Sequence, residues 1–455
     1  MLRGYHFIRR NLKFYFDRIR NEKIKHVILQ AFPFWIASLI TGVFAVLYTK
    51  LFALAEQGAG YLYRQAHWSL FIATPVCFLV SVWLVEKFSP FSRGSGIPQV
   101  IAAVELATPK EHNLVDRLLN LKTIVIKVLS SCIVALGGGI IGREGPTIQI
   151  AGSVFRKVNN LLPAWWPRIS KRNMIMTGAA AGLAAAFNTP LGGIVFAMEE
   201  LSKTHISFYK TAIFSAVIIA GLTAQSIIGP YLYIGYPDLS NLSLSMVLVV
   251  ILAALISGVA SGAMCKWLLK IFRWKTGLKR PWHKYAFIVF CALAVAGMAY
   301  TAGTQAMNSG KDLMTQLLFT PDKELAWYTP LLRMAGSAVS FTSGAAGGIF
   351  APALSAGASI GAVVAHWFSL TPQHINLVVL AGMVAFLTGV TRSPFTCAIL
   401  VLEMTDGHSA IFYLMISALI ANMAAYFIDK RSLYEHLKHS YLHEVQSAEH
   451  AKTAA

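Results

Sequence analysis

Gly142-Arg143-Glu144-Gly145-Pro146 and Gly348-Ile349-Phe350-Ala351-Pro352 lie 206 positions apart, and each sets a glycine and then a proline just ahead of an apolar helical run. Downstream the likeness continues. The stretch from Gly178 to Pro190 resembles the stretch from Gly382 to Pro394, and Gly178, Pro190 and Glu199 recur 204 positions later as Gly382, Pro394 and Glu403. A difference of two residues reconciles the two offsets, so the ordered pairs read as an internal repeat. Repeats interrupted by Gly and Pro at matching positions are the pattern of membrane transporters whose substrate site lies where the repeats meet. The expected organisation is a segment 1–27, a first repeat 28–228, a connection 229–241, a second repeat 242–428 and a tail 429–455. If each repeat crosses the membrane an odd number of times, the two are inverted.

Composition sets the solvent. Of 455 residues, 56% are hydrophobic and 13% are charged, against about 25% charged in a soluble domain. Apolar runs at Ile28–Tyr48, Trp68–Val85, Leu242–Cys265, Tyr285–Tyr300 and Ala410–Ile428 carry few or no charges, and several reach the ~20 residues a helix needs to cross hydrocarbon. Shorter runs broken by Gly or Pro read as half-helices inside a bundle. The fold class expected is therefore an all-α integral membrane protein of tilted and broken helices.

The formal charge of +19 is distributed by topology rather than as a nucleic-acid footprint. Eight Lys/Arg stand in Met1–Val27 and seven in Lys266–Lys284, whereas Gly229–Ser243 has no basic residue and one acid, Asp238. The positive-inside rule puts the basic segments, and the basic end at Lys430, Arg431 and Lys438, in the cytoplasm. Both termini are then expected inside, with the 229–241 connection outside. The first apolar run lacks a cleavage pattern, so no signal peptide is expected. Cys77, Cys132, Cys265, Cys291 and Cys397 lack CxxC or metal spacing and read as small buried hydrophobes. His436, His439 and His443 share a helix spacing in a polar tail, which reads as a solvated face rather than a metal site. No metal or cofactor is expected.

Three segments carry the chemistry: Gly94-Ser95-Gly96-Ile97-Pro98, Gly142-Arg143-Glu144-Gly145-Pro146 and Gly347-Gly348-Ile349-Phe350-Ala351-Pro352. Proline suits the first helical turn and glycine lets the backbone bend, so each reads as a helix N-terminus. Such an end offers unpaired N–H donors and about half a positive charge, enough to hold an anion without a full cation. Several converging ends would bind it without trapping it.

In this order the three segments resemble the anion-binding signature regions of the CLC family of chloride channels and chloride/proton antiporters, and the likeness runs from about Ile28 to Tyr434. The resemblance implies two inverted repeats and a homodimer with one pore per subunit. It implies a chloride site made by Ser95, Gly96, Ile97, Gly145, Ile349, Phe350 and Tyr434, with the Ser95 hydroxyl favouring chloride over nitrate and the Tyr434 phenol meeting the ion from the inner side. Glu144 falls at the position of the external gating glutamate, which competes with chloride and swings away when protonated; its counterpart in the second repeat is Phe350. Taken alone, Glu144 would be explained by a helix N-terminus, Ser95 by capping and Tyr434 by interfacial anchoring.

Glu199 and Glu200 close the run Leu191–Met198 and point about 100° apart on a helix. Glu199 repeats as Glu403, and both read as structural, capping or pairing carboxylates. Glu200 aligns with Met404 and, by resemblance, with the internal proton-transfer glutamate. Lys127 interrupts Thr123–Leu136 and is expected near the anion path as an electrostatic helper, with snorkelling as its ordinary alternative. Gln99 and Ile101 depart from the family pattern at positions that are acidic in many or some relatives. About 21 residues follow Tyr434, which fits the compact prokaryotic type without a CBS pair. The expected function is exchange of chloride for protons in a bacterial cell membrane, with lipid as solvent and no nucleic acid as partner. A passive chloride channel of the same family is the alternative, and an intramembrane enzyme using Glu199, Glu200 and His205 is a remote one, lacking any HExxH-type motif.

Overall fold

The computed structural model describes residues 21–201, 210–229, 232–278 and 280–453. The basic residues of 1–20 and His205 lie outside them. The first repeat contains α1 (Glu22–Gln65), α2 (Leu70–Phe88), α3 (Ile97–Leu106), α4 (Val115–Leu118), α5 (Leu121–Leu136), α6 (Glu144–Leu161), α7 (Lys171–Phe187), α8 (Pro190–Phe196) and α9 (Lys210–Ile228). After the connection come α10 (Met246–Thr276), α11 (Pro281–Ala302), α12 (Lys311–Phe319), α13 (Thr329–Thr342), α14 (Phe350–His366), α15 (Pro372–Thr391), α16 (Pro394–Thr405), α17 (Ile411–Ile428) and α18 (Leu433–Thr453). Among the described residues, the only pairing of extended backbone is two isolated bridges, Gly94 with Ala346 and Gly142 with Gly348.

Eight helical stretches of the described residues are long and apolar enough to cross a membrane. Their burial divides them by role. The candidate windows of α2, α9 and α17 are one-third buried, whereas that of α15 is 89% buried. Outer helices therefore turn side chains such as Leu248, Phe412 and Phe427 away from the protein, a surface that hydrocarbon tolerates because every backbone group is already bonded within its helix. Helices α3, α8 and α16 are too short to span alone, and α3 is buried along most of its length.

The repeat is visible in how helices start and stop. Helices α6 and α14 begin at Glu144 and Phe350, 206 positions apart, and α8 and α16 begin at Pro190 and Pro394, 204 apart. Helices α7 and α15 both end on a left-handed residue, Asn188 at φ 57° and Arg392 at φ 65°. Each stop precedes a proline in the first turn of the next helix, which lacks the N–H that a continuing helix would need. Equivalent elements also meet face to face: Gly142 and Gly348 exchange both backbone hydrogen bonds, at 2.7 and 2.6 Å. The bridge is antiparallel, so equivalent backbone segments of the two repeats run in opposite directions, as they do in a fold of two inverted repeats.

Two expectations are refined. The first helix, α1, runs 44 residues, well past the apolar run that marks it in the sequence. The C-terminal residues are not a loose tail but helix α18, with Leu433, Tyr434, Tyr441 and Val445 buried. Arg93 pairs with Glu444, Arg117 with Glu449, and Lys438 Nζ lies 2.9 Å from Glu105 Oε2. These pairs bolt α18 to the segment before α3, to α4 and to the end of α3. Where α17 hands over to α18, His436 meets Asp429 at 3.1 Å. Burial opposes the Asp429 charge, but the Arg431 amide and His436 outweigh it and hold the carboxyl below its usual range.

Candidate functional site

All three glycine–proline segments are helix N-termini and they converge. Helix α3 starts at Ile97, α6 at Glu144 and α14 at Phe350. Backbone hydrogen bonds stitch the segments together: the Gly94 amide donates to Ala345 O at 2.8 Å and the Gly347 amide to Gly94 O at 3.0 Å, beside the Gly142–Gly348 exchange. Glycine is required where the ends touch. A Cβ on Gly145 would stand 2.2 Å from Ser95 Oγ, and one on Gly142 would stand 2.3 Å from Glu144 Oε2.

Two hydroxyls face this meeting point with nothing to bond. Ser95 Oγ and Tyr434 Oη are fully buried and find no hydrogen-bond partner among the described residues. They lie close enough to interact with each other without reaching the geometry of a direct hydrogen bond. Buried hydroxyls are normally paired, and an exception calls for a ligand, a water or an ion. Two buried hydroxyls without partners, close to three helix N-termini, offer the kind of donors that a small anion accepts from. The Phe350 ring stacks on Tyr434 at 6.3 Å and 10°, giving the site an apolar wall. Ile97 and Ile349 are also buried there at the helix starts.

Glu144 is 1% exposed. Its Oε1 accepts a hydrogen bond from the Tyr233 phenol at 3.0 Å, while Oε2 has no partner among the described residues. A carboxylate at a helix N-terminus carries the sign of charge that such an end favours.

The remaining candidates serve from outside the cluster. Lys127 is fully buried and does not snorkel; its ammonium donates to Ser92 O at 2.9 Å and Gly94 O at 2.8 Å. It holds the backbone that leads into Ser95. Gln99, where many relatives carry an acid, does related work: its amide donates to Phe91 O and Arg93 O at 3.2 and 2.6 Å, and its carbonyl accepts from the Gly96 amide at 3.0 Å. An acid could not donate both of the first two bonds.

Glu199 and Glu200 sit in a π-helical turn, Ala197–Leu201, after α8. Glu199 accepts from the amides of Phe395 and Thr396 at 3.2 and 2.7 Å, capping α16. Glu403 accepts from the amides of Leu191 and Gly192 at 3.0 and 2.7 Å, capping α8. The expected capping role holds for both. Glu200 accepts from Ser393 Oγ at 2.7 Å. It lies apart from the meeting of the three segments. Among the described residues no group of three or more His, Cys, Asp or Glu is arranged around a common metal position.

The family described as voltage gated chloride channel matches residues 76–426. The chain belongs to this family, the CLC proteins. Similar CLC relatives include the H(+)/Cl(-) exchange transporter ClcA of Citrobacter koseri, 28% identical over an alignment of 421 residues that covers 88% of this chain and 86% of the relative. That of Yersinia pestis bv. Antiqua is 30% identical over an alignment of 405 residues that covers 86% and 82% of the two chains. Among solved structures, a slow cyanobacterial Cl−/H+ antiporter aligns with a TM-score of 0.78 at 24% identity, covering 91% of this chain and 98% of that one. A CLC-type fluoride/proton antiporter aligns at 0.75 and 21% identity, with the same coverage. This CLC chain is thus a multi-pass membrane protein of a transport family and not an enzyme; Glu199 and Glu200 are both engaged with the start of α16 rather than with a hydrolytic centre.

Sequence reasoning missed Tyr233. Its only signal was the aromatic density of 231–236 in an otherwise apolar connection.

Proposed function

We propose that this CLC protein exchanges chloride for protons, with Glu144 as the gate and Glu200 as the internal proton-transfer group. The reading is carried by one observation: two buried hydroxyls without partners, on Ser95 and Tyr434, at a junction of three helix N-termini beside a buried carboxylate. Chloride would take hydrogen bonds from Ser95 Oγ and Tyr434 Oη and lie against Phe350, with the α3, α6 and α14 ends around Gly96, Ile97, Gly145 and Ile349 supplying partial positive charge.

The proton enters because a carboxylate is both an anion mimic and a base. Ionised, Glu144 occupies the positive end of α6 and excludes chloride. Protonated, it loses the attraction of that end and yields the place. Each departure of the gate then requires a proton, which ties one flux to the other. Glu200 would pass the proton to the opposite side by a route separate from the anion path, starting at the Ser393 hydroxyl; its removal should spare chloride movement. Relatives named H(+)/Cl(−) exchange transporters support this reading. We further propose a bacterial inner membrane with both termini in the cytoplasm, which the clustering of basic residues in 1–27, 266–284 and the C-terminal segment supports, and a homodimer in lipid, which the family resemblance implies.

The test is chloride efflux from liposomes with simultaneous pH recording. An outward chloride gradient that drives protons inward against their own gradient supports exchange; chloride flux without uphill proton movement selects the passive channel.

A further inference from the structure

The connection between the repeats reads in sequence as a plain external loop, yet its described part folds inward and is anchored on several sides. The amides of Ile234 and Gly235 donate to Met404 O at 3.2 and 3.4 Å, Asn376 donates to Asp238 O at 3.0 Å, and Gln373 to Asp238 Oδ2 at 2.9 Å. Gly235 takes φ +122° with the Phe319 ring against its α-carbon, where a Cβ would meet the ring at 2.9 Å. This segment is therefore a fixed cover, and it delivers one side chain to the site. Tyr233 is 2% exposed and its phenol donates to Glu144 Oε1 at 3.0 Å.

The ring is held from several directions. The Lys311 ammonium lies 4.8 Å and the Arg143 guanidinium 5.8 Å from its centroid, and Phe187 packs against it at 4.9 Å and 75°. Phe187 in turn lies 6.2 Å from Phe350, which stacks on Tyr434. Cation–π and edge-to-face contacts of this kind fix a ring's position. The phenol consequently has a defined aim, and among the described residues its acceptor is the carboxylate.

A hydrogen bond to an ionised carboxylate is about twice as strong as one between neutral partners. The bond from Tyr233 thus holds Glu144 firmly when it is charged and weakly once it is protonated. We propose that Tyr233 is a positioning residue for Glu144: its phenol latches the ionised carboxylate in the anion pathway and lets it go on protonation, so the loop between the repeats sets how often the gate opens. This rests on Glu144 being the gate.

The experiment is a double-mutant cycle in liposomes, measuring chloride efflux and proton movement for the wild type, Tyr233→Phe, Glu144→Ala and the double variant. Phenylalanine keeps the ring and removes only the hydroxyl. Losing one charge-assisted hydrogen bond should raise chloride turnover roughly ten- to hundredfold in the wild-type background, with proton coupling retained. In the Glu144→Ala background, where no carboxylate remains to be held, the same substitution should change nothing. An unchanged or lower rate for Tyr233→Phe, or an equal change in both backgrounds, overturns the latch and leaves a packing role. If Glu144→Ala alone still couples protons as the wild type does, the gate reading falls, and this inference with it.

Discussion

Glu199 and Glu403 occupy equivalent positions in the two repeats, and each caps the helix that leads to the other. Glu199 receives the first amides of α16, which carries Glu403; Glu403 receives those of α8, whose π-helical continuation carries Glu199. The reciprocal bonds fasten the repeats to each other and satisfy first-turn amides that have no partner within their own helix.

Replacing either carboxylate by alanine should therefore destabilise the fold by about 0.5–2 kcal/mol, the usual worth of an N-cap. The check is the thermal unfolding midpoint in detergent for Glu199→Ala and Glu403→Ala. The larger loss is expected from Glu199→Ala, because Glu199 also accepts from the Thr396 hydroxyl at 2.7 Å, a bond that Gly192 cannot supply to Glu403. A loss confined to Glu199→Ala would mean that Glu403 does not fasten its partner helix.

The repeat itself was legible because glycines, prolines and glutamates at helix ends are chosen by backbone geometry, which leaves a mark at fixed spacing. Gly142, Pro190 and Glu199 each predict their structural role and their partner's. Tyr233 left no such mark. Its role depends on a loop folding back onto Met404, Asn376 and Phe319, contacts between segments distant in sequence and without periodicity. The firm helix of residues 433–453 was hidden for a related reason: its anchors, such as Arg93 with Glu444, are charged pairs that in sequence look like solvated surface.

Ser95→Ala removes one of the two unpartnered hydroxyls, and Tyr434→Phe removes the other. Each should weaken chloride binding by a factor of roughly three to ten, corresponding to about 0.5–1.5 kcal/mol for one hydrogen bond. Isothermal titration calorimetry of the detergent-solubilised protein measures this directly. Affinity equal to wild type in the double variant would place the ion elsewhere.

Lys127→Met keeps the length of the side chain and deletes the donor to Ser92 O and Gly94 O. Two buried carbonyls lose their partner, and the loop that aims Ser95 loses its support. A destabilisation of about 1–3 kcal/mol is expected, together with weaker chloride binding. Were binding to weaken with no change in unfolding midpoint, Lys127 would be acting through its charge alone.

Glu200→Gln preserves shape and the ability to accept from Ser393 while removing the titratable proton. In the liposome assay it should stop proton transport and leave chloride movement measurable. If protons still moved normally, Glu200 would lose its role and the inner proton donor would have to be sought elsewhere, with Glu199 and Glu105 the nearest candidates. Both already have engagements, Glu199 as a helix cap and Glu105 with Lys438.

The most direct test of the central claim compares wild-type protein and Glu144→Gln side by side in liposomes, recording chloride efflux and pH together. Glutamine mimics the protonated gate. The account predicts uphill proton uptake driven by chloride in the wild type, and chloride movement without proton movement in Glu144→Gln. Proton coupling that persisted in the variant would contradict it.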